Sequence, residues 1–96
     1  MLKLDYELKF KKNRSYLGED LGDDCTMLYC QEKESTFLLD GLMTFIYNIC
    51  EEKNINEIVD RVINNFDVSE IGENEIKSDC EEAITQLMAE GVVIYE

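Results

Sequence analysis

Apolar and polar residues alternate strictly over residues 2–10. Leu2, Leu4, Tyr6, Leu8 and Phe10 fall on one side, and Lys3, Asp5, Glu7 and Lys9 on the other. A period of two over that length predicts a β-strand with one buried face. Residues 14–17 either continue it or form a short strand of their own. Residues 18–24 hold two glycines and four acids and predict a loop. Cys25–Cys30 and Ser35–Leu39 are apolar runs too short for helices, joined by a polar tetrapeptide, which predicts a hairpin. Three consecutive strands with short connections favour an antiparallel meander, with Ser35–Leu39 at its edge.

From Asp40 onward the period changes to that of a helix. The Asp40 carboxylate is placed to accept free N–H groups of a first helical turn, and its charge suits the positive end of the helix dipole. Leu42, Phe45, Ile46 and Ile49 follow at helical spacing, with Met43 and Cys50 beside them. After a polar break at residues 51–54, Asn54 predicts the cap of a second helix carrying Ile55, Ile58, Val59, Val62, Ile63 and Phe66. Residues 67–72 interrupt the pattern. A third helix over residues 73–90 presents Ile76, Cys80, Ala83, Ile84, Leu87 and Met88, and Gly91 stands where a helix stops. Residues 92–95 read as a terminal extended segment. The expected fold is α+β: a small three-stranded antiparallel sheet followed by three helices that cover one of its faces, winged helix-turn-helix-like in order.

At 96 residues the chain predicts one domain with one modest core, and 45% hydrophobic residues with no proline mark it as folded. No apolar run reaches the length of a membrane span and no signal-peptide pattern follows Met1, so the expected setting is the cytoplasm, away from membrane. The net charge of −13 argues against nucleic acid as a partner. Five basic and two acidic residues leave the first fourteen positions at +3 and the remainder at −16. Most of those acids suit a solvated surface; a groove preferring a basic partner is the sharper expectation.

Catalytic and metal constellations do not emerge. There is no histidine, no glycine-rich phosphate loop, and no serine or cysteine with an evident base, so the chain is expected to be neither an enzyme nor a cofactor protein. Cys25 and Cys30 are offset by an odd number on one strand and point to opposite faces, while Cys50 and Cys80 stand alone on helices. Free buried thiols are the expectation. The acids of residues 18–24 fail as a calcium loop, because the twelfth position from Asp20 is Gln31 where a closing Glu is required.

These residues resemble the PqqD-like family, whose members act as peptide chaperones and as the recognition element in biosynthesis of ribosomally made, modified peptides. The family pattern has a strand ending in Leu-Asn, a helix containing Ile-Trp and Leu-Leu, an Asp-Gly break and a V-x-E-I segment. Here Leu39 and Asp40 stand at Leu-Asn, Ile46 and Tyr47 at Ile-Trp, Ile49 and Cys50 at Leu-Leu. Glu51 and Glu52 stand at the Asp-Gly break, with Ile55, Glu57 and Ile58 beyond it. Leu87, Glu90, Gly91 and Val92 match the closing L-x-x-x-G-L, so the likeness spans residues 14–94 and leaves residues 1–13 as an extra N-terminal strand.

The resemblance implies a single, non-catalytic peptide-binding domain. Its occupant would be the leader of a precursor peptide, added as a strand to Ser35, Thr36, Phe37, Leu38 and Leu39. The other wall of the cleft would draw on Ile76, Asp79, Cys80, Ala83, Gln86 and Leu87. Ala83 is small enough to admit a close approach, and Asp79 and Gln86, seven apart, share a helix face. The implied enzyme partner is separate, such as a radical S-adenosylmethionine maturase or a leader peptidase. A winged-helix DNA-binding domain would share the element order, but Lys77 is the sole base of the third helix amid six acids. A carrier protein is likewise small and acidic but would need a serine after Asp40, where Gly41 stands. A third reading is a purely structural interaction subunit, in which a homodimer could bury the same edge strand.

Overall fold

The computed structural model of the chain describes residues 4–22, 25–65 and 71–96. Its strands are β1 (Phe10–Lys12), β2 (Tyr16–Gly22), β3 (Cys25–Cys30), β4 (Ser35–Leu39) and β5 (Val93–Tyr95), and its helices α1 (Gly41–Ile49), α2 (Ile55–Asn65) and α3 (Glu73–Ala89). An antiparallel sheet of order β2-β3-β4 and a small β1-β5 sheet support the three helices. The α+β class and the three-stranded meander are as expected, with β4 at the edge.

The first strand of the meander differs from expectation. It is β2, which takes in Gly18 to Gly22 of the predicted loop; Asp23 and Asp24 lie outside the described residues. β2 pairs with β3 from Tyr16 opposite Cys30 to Gly22 opposite Cys25, with a bulge between Asp20 and Gly22. This ladder, and not strand propensity, sets its conformation, since all but Tyr16 of its residues are exposed. Gly18 suits its place: a Cβ there would lie 3.2 Å from Leu28 Cδ2.

The alternating segment is a strand only at its end. Residues 4–9 have no ladder, and Tyr6 and Leu8 are 39% and 44% exposed. β1 is limited by its partner: the three residues of β5 pair Phe10 with Tyr95, Lys11 with Ile94 and Lys12 with Val93. Phe10 is fully buried and stacks on Tyr95 at 5.1 Å between ring centroids. Leu2 and Lys3 lie outside the described residues.

Within the larger sheet the pleat sorts side chains into two faces. Leu28, Cys30 and Leu39 point inward to the core with Ile46, Tyr47, Ile58, Ile84 and Leu87. Leu17, Tyr29, Thr36 and Leu38 face out and are exposed. The helix ends follow their local chemistry. Met43 N–H donates to Asp40 Oδ1 at 3.2 Å, the cap expected of α1. Glu57 N–H donates to Asn54 Oδ1 at 3.0 Å while Asn54 N–H donates to Glu57 Oε1 at 3.2 Å, a reciprocal capping box for α2. Phe66, expected on α2, lies outside the described residues. At the end of α3, Gly91 takes φ +78°, Gly91 N–H donates to the Met88 carbonyl and Val92 N–H to the Leu87 carbonyl, both at 3.0 Å. That left-handed turn is the usual glycine stop, and it aims Val92 back along the core.

Candidate functional site

β4 has one partner and one free side. Its ladder to β3 runs from Thr26 opposite Leu39 to Cys30 opposite Ser35, and no described strand pairs with its other edge. Successive N–H groups of a strand point to opposite sides, so about half of the β4 polar backbone faces outward with no strand to satisfy it. Leu38 is 68% exposed on this strand. The Ser35 hydroxyl oxygen is buried without a hydrogen-bond partner.

Beside this edge runs a groove made of two adjoining hollows. One, of about 140 Å³, lies between Phe37, Leu38 and Leu39 of β4, Met43 of α1, and Gln86, Leu87, Glu90 and Val92 at the end of α3. The other, of about 200 Å³, is lined by Asp40, Leu42 and Met43 at the start of α1 and by Asp79, Glu82, Ala83 and Gln86 of α3. Met43 and Gln86 line both, so the two hollows adjoin along one groove, the channel. The strand-to-helix corner forms one wall: the Thr44 hydroxyl donates to the Leu39 carbonyl at 3.0 Å and fixes the chain where β4 turns into α1. The end of α3 is held from the other side, where the Tyr16 hydroxyl donates to the Glu90 carbonyl at 2.7 Å and the Asn13 amide to the Gly91 carbonyl at 2.8 Å.

The sequence-predicted residues divide into groups. Phe37, Leu38 and Leu39 line the channel from the strand, and Asp79, Ala83, Gln86 and Leu87 line it from α3. Ser35 and Thr36 belong to the free edge without lining either hollow. Ile76 and Cys80 sit in the core, away from both hollows. The reason is angular. At 100° per residue, Asp79, Glu82, Gln86 and Glu90 fall on one flank of α3, whereas Ile76 and Cys80 fall on the stripe that faces the core; Leu87 lies on that stripe too and lines its hollow from the last turn of the helix. Asp40, Leu42, Met43, Glu82, Glu90 and Val92 line the channel without having been foreseen. The 79/82/86/90 spacing could have disclosed the two glutamates, but the contribution of α1 depends on how α1 and α3 meet.

The electrostatics of the channel are one-sided. Among the described residues four carboxylates line it, on Asp40, Asp79, Glu82 and Glu90, and none of the lining residues is basic. Asp40 is already engaged by the N-terminus of α1. Behind the channel, burial, with Asp79 and Glu81 adding to it, pushes the Cys80 thiol up to about 11. Burial likewise pushes the Cys50 thiol up to about 11. Both are protonated at neutral pH and poor nucleophiles. The channel itself offers backbone hydrogen bonds at the β4 edge, apolar contact and negative charge.

The family model for coenzyme PQQ synthesis protein D (PqqD) matches residues 25–93, which takes in β3, β4 and all three helices. The chain belongs to the PqqD family. No curated protein matches it. Among solved structures, that of TbiB1 in complex with the TbiA(beta) leader peptide aligns with a TM-score of 0.73 at 20% identity, over 86% of this chain and 93% of that one. At that identity the likeness is one of fold. The PqqD match begins at β3 and leaves out β1 and β2, so the strand that completes the sheet and the strand that fastens the C-terminus lie outside it.

Proposed function

We propose that this PqqD-family protein is a recognition module without chemistry of its own, which binds the leader of a ribosomally made precursor peptide by adding it as a fourth strand beside β4. The observation that carries this is the free edge of β4 lying along a channel walled by α3. An extended peptide there gains backbone hydrogen bonds from the edge, while alternate side chains drop toward the channel and give specificity. Family membership supports the reading, as does the shared fold with TbiB1, whose solved structure contains a leader peptide. The bound leader would hold the rest of the precursor at high effective concentration for a separate enzyme, such as a radical S-adenosylmethionine maturase or a leader peptidase, in the cytoplasm.

The test is an NMR titration of the isotope-labelled protein with the leader half of the short peptide encoded beside its gene, with a DNA duplex as control. Shifts concentrated in Ser35–Leu39 and along the 79–90 flank of α3 are expected. Silence with the peptide, or a response to DNA alone, would overturn the proposal. A homodimer through β4 would occupy the same edge, and concentration-dependent shifts in β4 without peptide would reveal it.

A further inference from the structure

The channel is sorted along its length, and this sorting bears on which peptide it takes. Toward Val92 its walls are Phe37, Leu38, Leu39 and Leu87, with a single carboxylate, Glu90, among them. Toward the start of α1 its walls carry Asp79 and Glu82 around the small side chain of Ala83. Asp40 is there too, but its charge faces the positive end of α1 and is partly offset. Among the described residues Asp79 and Glu82 have no such compensation: neither has an ion pair or a capped N–H there, and the cation on the same helix, Lys77, lies on its far flank over the Tyr6 ring at 5.3 Å. An anionic hollow next to apolar walls favours a positive side chain, and favours it more as the peptide displaces water.

Building on the strand-addition proposal, we infer that the channel selects a peptide segment that pairs an aliphatic or aromatic residue, seated among Phe37, Met43 and Leu87, with a Lys or Arg seated over Asp79 and Glu82. For a peptide that runs along α3, the spacing follows from helix and strand geometry. The middle of the acidic pair and the Gln86–Glu90 turn are separated by roughly 11 Å along α3 at 1.5 Å per residue. An extended strand covers that in about three residues, and side chains facing the same wall are separated by an even number. The two determinants thus lie two or four residues apart, the long basic side chain making up the difference.

The probe is a randomised 12-residue peptide display library selected against the immobilised intact protein. The expected winners carry an apolar residue two or four positions from a Lys or Arg, and shift β4 resonances. Their affinity should fall about tenfold in the Asp79→Asn/Glu82→Gln double variant, and weaken from low to high salt. Both positions are exposed, so the variant keeps the core intact. Winners that shift β4 but show no basic enrichment, or bind the double variant equally, would overturn this inference and leave strand addition standing. A library that yields no binder would overturn both.

Discussion

Glu52 sits at φ +62°, in the left-handed region that costs a residue with a side chain free energy and costs glycine little. It occupies the position at which the PqqD pattern has the glycine of its Asp-Gly break, so this chain keeps the backbone shape and loses the residue that suits it. The conformation is held by its surroundings: Glu52 N–H donates to the Phe10 carbonyl at 2.9 Å and Lys53 N–H to the Cys50 carbonyl at 3.1 Å. Glu52→Gly should therefore stabilise the protein by about 0.5–1 kcal/mol despite the added freedom of the unfolded chain, seen as a higher urea midpoint with an unchanged slope. A loss of stability would mean that the Glu52 side chain contributes more than its backbone costs. The neighbouring Glu51 shows how such a side chain contributes, since its carboxylate pairs with Arg14 at 3.2 Å and so links the α1–α2 break to the N-terminal segment.

At the scale of elements, the proposed function rests on β4. Of the adjacent residues Phe37 and Leu38, one directs its N–H into the β3 ladder and the other to the free edge. A proline at the outward one removes a donor that only a bound peptide would use, whereas at the inward one it breaks the sheet. Of Phe37→Pro and Leu38→Pro, one should stay folded by circular dichroism yet bind leader at least tenfold more weakly, and the other should lose stability outright. A folded proline variant with full affinity would exclude strand addition. The β4–α1 unit was legible in the sequence because its signals are local: a short apolar run, the Asp40 cap and a helical period within a dozen residues. β2 was not, since nearly all its side chains are exposed and its only determinant is hydrogen bonding to β3. The residues 2–10 pattern misled for the converse reason, because alternation makes a strand possible while the length of β5 decides how much of it is paired. In the channel, helix geometry puts Asp79 and Gln86 on one face and the family resemblance assigns that face to the cleft, whereas Met43 and Val92 depend on the meeting of α1, α3 and the Gly91 turn.

The molecule as a whole is fastened where its two ends meet. Phe10 pairs with Tyr95, bridges to Glu51 and donates its N–H to the Lys53 carbonyl at 2.9 Å, so one buried ring joins the N-terminal segment, the α1–α2 break and β5. Phe10→Ala should destabilise the fold by roughly 3–5 kcal/mol, measured by thermal or denaturant unfolding, with Tyr95 losing its protection at the same time. A loss under about 1 kcal/mol would show that the β1–β5 sheet is an ornament on an otherwise self-sufficient core. The direction of this ladder has a mechanical consequence. Residue 9 and residue 96 leave it side by side, with Glu96 N–H on the Lys9 carbonyl at 2.8 Å, and its far end is the Asn13 N–H on the Val92 carbonyl at 2.9 Å. Tension between the two ends would load these bonds in sequence, as in a zipper, and not all together. The clasp would thus yield to a gentle pull, and the last bond to open is the one anchoring Val92, a wall of the proposed peptide channel.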